Sequence, residues 1–155
     1  MCQYLIKIKE RLDPLKQFAE QTLFPIVLLA LRFAVAYPFF KSGRLKLGYV
    51  LNDQLDSLYF LFEDYKVPLL PTHVAAWMGM CGELGLSTLL ALGLFGRFGA
   101  LGLIVMSGVI FNTDGNPMAV YWALICAVIA VTGPGKWSLD ALIWCKKTKE
   151  TPHEA

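Results

Sequence analysis

The chain has 155 residues, 56% of them hydrophobic and 17% charged, with a net charge of +2 and a mean hydropathy of +0.52. Soluble domains carry about 25% charged residues, so this apolar excess excludes an ordinary water-soluble fold and must face lipid, while the small net charge argues against a nucleic-acid partner. The length accommodates one domain of three or four spanning helices joined by short links.

The first element is amphipathic. Leu5, Ile8, Leu12, Leu15 and Phe18 recur at helical spacing among Lys and Arg, a pattern suited to the bilayer surface. Asp13-Pro14 can restart a helix there, with Asp as N-cap and Pro at the first position. No small-residue cleavage site follows the first apolar run, so that run reads as retained and not as a signal peptide. Residues 1–21 are therefore a cytoplasmic amphipathic segment, 22–145 the membrane domain and 146–155 a polar cytoplasmic tail.

Residues 22–40 form the first apolar span, with Pro25 tolerated in its opening turn. In the loop that follows, Leu51, Leu55, Leu58 and Phe62 mark a second amphipathic stretch, capped by Asn52 or Asp53. The second span, 72–92, is introduced by Pro68 and Pro71. The third and fourth, 98–111 and 118–131, are short against the ~20 residues that cross a bilayer core. Between them, 112–117 read Asn-Thr-Asp-Gly-Asn-Pro, a strong turn. Either these helices extend into their flanks or the loop dips into the bundle, where polar backbone needs protein or water to cover it. Gly133-Pro134-Gly135 ends the last span, and Ser138 can cap a short helix whose Trp137 and Trp144 suit an aromatic belt. The expected fold is all-α, a four-helix transmembrane bundle with an amphipathic outer loop and interfacial terminal helices.

Orientation follows from the basic residues. With both termini cytoplasmic, the inner side carries Lys7, Lys9, Arg11, Lys16, Arg97, Lys136, Lys146, Lys147 and Lys149, and the outer side Lys41, Arg44, Lys46 and Lys66. That asymmetry favours both termini inside. Lys41, Arg44 and Lys46 oppose it, or have a task on the outer face.

Two ionisable residues interrupt the spans. Arg32 lies in the first and Glu83 in the second, where a charge is unfavourable by roughly 2.5–3.5 kcal/mol on insertion scales. If the spans are bounded near Leu23 and Leu92, each charge lies nine residues from the inner end, which is roughly 14 Å of helix. Equal depth on antiparallel neighbours predicts a buried Arg32–Glu83 pair. The pair is either a packing and registry device or the lining of a polar cavity. With the short third and fourth helices, Asn112 and Asp114 are expected in a recess below Lys41, Lys46 and His73. That vestibule would lead inward to Arg32 and Glu83, with Tyr37, Trp77, Tyr121 and Trp122 as walls. The alternative is a plain surface turn in which Asp114 caps a helix.

Gly79, Gly82 and Gly85, and again Gly96, Gly99 and Gly102, fall at spacing three, which suits close helix packing. Cys2, Cys81, Cys126 and Cys145 contain no Cys-x-x-Cys pair, so the motif of a dithiol exchanger is missing; Cys81 and Cys126 read as packing residues, with a thiol pair between them conceivable. His73 and His153 are the only histidines, which disfavours a two-histidine haem site. Met78, Met80, Met106 and Met118 are apolar filler before they are copper ligands. No zinc spacing, phosphate-binding Gly loop or Ser-His-Asp set occurs, so no metal site and no catalytic residue is assigned.

Phe39-Phe40-Lys41-Ser42-Gly43-Arg44-Leu45-Lys46-Leu47 resembles the Phe…Gly-x-x-Lys-Leu segment that closes the first helix of DoxX proteins. Glu83 with 89–97, Leu-Leu-Ala-Leu-Gly-Leu-Phe-Gly-Arg, resembles that family's second helix and following turn. Residues 133–141, Gly-Pro-Gly-Lys-Trp-Ser-Leu-Asp-Ala, resemble its terminal motif, and Arg32 falls where the family commonly has Arg. The resemblance runs from about Leu23 to Trp144. It implies a four-helix protein of the bacterial inner membrane with cytoplasmic termini. Some DoxX-type proteins are subunits of thiosulfate:quinone oxidoreductases, and others associate with oxidative-stress or thiol-metabolism proteins. Residues 61–71 look closer to a subgroup found beside metal-responsive exported peptides.

The function expected is that of an inner-membrane accessory subunit supporting redox, thiol or metal-stress chemistry with protein partners. The alternative is a binding or transport module for a quinone, a lipid or a small exported molecule. The sequence leaves the cofactor unassigned; a quinone is compatible with this reading, as is a homo-oligomer. No self-contained redox or hydrolytic centre is visible, so enzyme status stays open.

Overall fold

The computed structural model describes residues 16–65, 67 and 70–143. The amphipathic pattern over 1–15 and the tail from 144 lie outside these residues. Helix α1, Phe24–Leu51, continues a helix begun at Lys16 through a π turn at Ala19–Leu23, giving 36 unbroken residues. The expectation that the first span ends at residue 40 is corrected. Nothing in Lys41-Ser42-Gly43-Arg44 stops a helix, and the chain leaves it only at Asn52. Lys41 and Arg44 point outward while Gly43 and Lys46 turn into the bundle, so the basic run belongs to a helix with two faces.

Helix α2, Leu55–Tyr65, is followed by α3, Thr72–Leu92, α4, Gly96–Asp114, and α5, Met118–Thr132. Among the described residues three helices are long and apolar enough to cross a membrane, namely Lys16–Leu51, α3 and α4, whereas α5 is shorter. Helix α4 has 19 residues and outruns its sequence expectation at both ends. Gly96 lets it begin almost directly after the α3 terminus. At the far end Asn112 and Thr113 donate to the carbonyls of Gly108 and Val109 one turn back, which carries the helix on to Asp114.

The core joins Val35 and Phe39 of α1, Leu90 of α3, Ala100 and Leu103 of α4, and Cys126 and Ile129 of α5. Phe33, Tyr37, Val105, Leu124 and Val131 are exposed on the bundle's outer surface, as a lipid-facing surface requires. Cys126 is buried, Cys81 is exposed, and both are free thiols. Leu58 and Phe62 of α2 form a second cluster with Ala75 and Ala76 of α3, so the amphipathic loop helix lies across one end of the bundle.

Glycine provides the close approaches. A Cβ at Gly79 would stand 2.8 Å from Phe62 Cζ, and one at Gly102 would stand 2.7 Å from Leu86 Cδ1. Gly85 faces open space, so the three glycines of α3 do not form a single seam.

Candidate functional site

Arg32 and Glu83 are both buried, at 1% and 4% exposure, but they do not meet. The expected pair is corrected. On α1, Gly43 is the residue opposite Glu83, and Arg32 lies eleven residues earlier, roughly 16 Å along the helix. The depth argument took the inner end of the first span at Leu23, whereas the helix runs from Lys16. That places Arg32 level with the last turn of α3.

There Arg32 serves as a clasp. Nε donates to the Leu90 carbonyl at 2.9 Å and Nη2 to Ala91 at 2.5 Å, while Nη1 donates to Pro134 at 3.0 Å and Trp137 at 3.2 Å. A cation at a helix C-terminus meets the negative end of the dipole and its unpaired carbonyls, and the guanidinium fork reaches several acceptors at once. Gly93 leaves α3 at φ +67°, and a Cβ there would lie 2.5 Å from Arg32 Nη2. Asp140 accepts from the Phe95 and Gly96 N–H groups at the start of α4, and Ser138 accepts from Ala141 N–H. The terminal Gly-Pro-Gly…Ser-x-Asp motif thus closes this end of the bundle around one arginine.

At the other end, Lys46 Nζ donates to Glu83 Oε1 at 2.5 Å and to Ser42 Oγ at 3.0 Å. The ammonium also lies 5.6 Å from the centre of the Phe62 ring, an attractive geometry for a cation. Glu83 Oε2 is buried and has no hydrogen-bond partner among the described residues.

This pair lines a cavity of about 470 Å³ between α1, α3 and α4, covered by α2. Phe39, Phe62, Leu86, Met106, Val109 and Trp122 form its apolar walls, and Asp114 and Asn116 stand at its margin. Trp122 meets Phe39 edge-on at 5.3 Å. Tyr65 also lines it, its hydroxyl pushed above the ordinary phenol range first by burial and then by the charges of Asp114, Glu83 and Asp64.

Of the residues singled out in the sequence, Glu83, Lys46, Asp114 and Trp122 converge on this cavity. Arg32 belongs to the clasp. Asn112 is exposed and bonded along its own helix, because α4 is long enough to carry it out of any recess. Tyr37, Lys41, His73 and Tyr121 are exposed and do not line the cavity. Trp77 is also outside it, its indole N–H donating to Tyr59 Oη at 3.4 Å. Ser42, Phe62 and Tyr65 were missed. The spacing Phe39, Ser42 or Gly43, Lys46 is the signal that finds them, because it puts a lysine on the inward face of a continuing helix.

The family model described as DoxX matches residues 27–122, more than half of the chain and all the elements that build the cavity. No curated protein and no solved structure matches the chain.

Proposed function

The chain belongs to the DoxX family, and from that premise we propose that it is an accessory membrane subunit whose cavity binds a neutral, ring-bearing amphipathic molecule of the quinone class for redox partners. One observation carries this reading: a cavity of about 470 Å³ between apolar helices, walled by aromatic and aliphatic side chains, with the buried Lys46–Glu83 ion pair in it. Pockets of roughly 300–1,000 Å³ with apolar walls and a few polar groups suit small ligands with one ring system and a short tail. An ion pair that left two charges buried to no purpose would give little stability over an apolar replacement, so its position in the cavity favours a binding role. The family's frequent link to oxidoreductase-related function supports partner proteins as the users of the ligand.

The excess of Lys and Arg in the terminal segments and in the turn at Arg97 supports cytoplasmic termini in a bacterial inner membrane. The cavity, near the α2 end, would then open toward the outer leaflet. Single cysteines introduced as Ser57→Cys and Lys149→Cys should react oppositely with an impermeant thiol reagent in intact cells. Labelling of the second from outside would reverse the orientation.

Binding is tested by titrating decylubiquinone into the protein in lipid nanodiscs and reading tryptophan fluorescence and the thermal midpoint. Saturable quenching with stabilisation is expected in the native protein and should be lost in a folded Lys46→Met/Glu83→Leu variant. A native mass spectrum showing an empty cavity, an absence of saturation, and a stably bound soluble partner would replace this reading with that of a purely protein-binding subunit.

A further inference from the structure

Glu83 is the source of an asymmetry that the ion pair does not resolve. Its carboxylate is 4% exposed. Oε1 takes the Lys46 ammonium, and Oε2 has no donor among the described residues. A buried acceptor left without a donor is unfavourable, and this one lines the cavity.

Among the described residues no donor in the cavity lining, the Ser42 and Tyr65 hydroxyls included, is bonded to Oε2. Lys46 has three N–H groups; two go to Glu83 and Ser42, and the ammonium lies against the face of Phe62. Thr113, farther along the wall, donates to its own helix at Val109. The Met106, Leu86 and Val109 walls have no hydrogen to donate.

The charge balance narrows the class further. Lys46 and Glu83 cancel, so a cationic ligand would crowd the ammonium and an anionic one would face a bare carboxylate oxygen. A neutral molecule with an O–H on a ring satisfies both limits. We infer that this cavity selects a ligand whose ring hydroxyl donates to Glu83 Oε2, a phenol or hydroquinone, over one of the same shape that can only accept.

The inference rests on the proposed ring-binding role and sharpens it: of the two redox forms of a quinone, the site binds the reduced one more tightly. A quinone carbonyl would set its lone pairs against the unpaired carboxylate oxygen. The hydroquinone instead brings the missing donor, and a hydrogen bond to a charged acceptor is among the stronger kind.

A redox-inert pair of probes isolates that single hydrogen. 4-Octylphenol and 4-octylanisole share the ring and the tail and differ in whether the oxygen can donate. Each is titrated into the native protein in nanodiscs, with affinity expressed as mole fraction in the lipid so that unequal partitioning cancels. Trp122, in the cavity wall, makes fluorescence quenching a suitable readout alongside the thermal midpoint. The phenol should bind about tenfold or more tightly, the usual scale for one hydrogen bond to a charged group. In Glu83→Gln, whose amide can turn an N–H into the cavity, the preference should shrink or invert.

Equal affinity of the two probes for the native protein would overturn the inference and leave the ring-binding role standing, with water as the partner of Oε2. Failure of both probes and of decylubiquinone to saturate would remove the role and the inference together. The comparison is made on the native protein, so it does not depend on the variant folding.

Discussion

Replacing Arg32 by Met keeps most of the stem's volume and removes every donor from the clasp. Four carbonyls accept from this side chain. That of Leu90 retains the Gly93 N–H at 3.1 Å, whereas those of Ala91, Pro134 and Trp137 rely on the guanidinium. An unsatisfied buried acceptor costs roughly 1–3 kcal/mol. Three of them, partly reachable by water at this end of the bundle, give an expected loss of about 3–5 kcal/mol for Arg32→Met. Lysine is a compact charge with three donors and no planar fork, so Arg32→Lys should recover less than half of that. Equilibrium unfolding from mixed micelles, followed by far-ultraviolet circular dichroism, measures both. Ligand binding in the cavity should survive in either variant under conditions where it is folded, since the clasp lies at one end of α3 and Arg32 does not line the cavity. A loss below about 1 kcal/mol for Arg32→Met, or full rescue by Lys, would refute the assignment of Arg32 as the donor set that closes this end.

Other expectations follow from the same geometry. Gly93→Ala should prevent stable accumulation in the membrane, because its φ is +67° and a Cβ would lie 2.6 Å from Ser138 Cβ, while Gly48→Ala, with nothing within 4 Å, should be tolerated; immunoblots of membrane fractions distinguish them. Lys46→Met alone strands a buried carboxylate and should destabilise by about 3–5 kcal/mol, whereas Lys46→Met/Glu83→Leu should be near neutral, a contrast read from a double-mutant cycle. Tyr65 is held above its ordinary value in the folded chain, so its contribution is intact below the unfolded phenol value near ~10 and is lost as pH rises through the folded one. Tyr65→Phe should therefore flatten the alkaline limb of a melting-temperature profile, and an unchanged limb would exclude Tyr65 as its source.

The apolar runs in the sequence reveal the bundle because lipid imposes length and composition together. They also pick out Arg32 and Glu83 as buried charges. Partner identity was less legible. Arg32 is satisfied by backbone carbonyls, which no residue letter encodes, and a search for an opposite charge led to Glu83. The partner of Glu83, Lys46, is legible only as a vestibule residue, because Lys41 and Arg44 beside it look like the end of a span. On a helix that runs on, those two face out and Lys46 faces in, and only the three-to-four spacing from Phe39 separates the cases. Asn112 is deceptive for a related reason: it opens the run Asn-Thr-Asp-Gly-Asn-Pro, which reads as a loop, yet its side chain donates one turn back and prolongs α4.

The dry layer between the two polar ends has a consequence for traffic across the membrane. On α1, Val35 and Phe39 lie between the arginine and the lysine, and both belong to the buried cluster with Leu90, Leu103 and Ile129. Buried Ser87, near the same level, directs its hydroxyl to the Glu83 and Leu84 carbonyls of its own helix. A proton relay needs a chain of groups that can both give and receive, and no such chain is formed by these side chains. If the proposed ligand does reach the Glu83 carboxylate, this apolar layer predicts that it enters and leaves from the same side of the bundle.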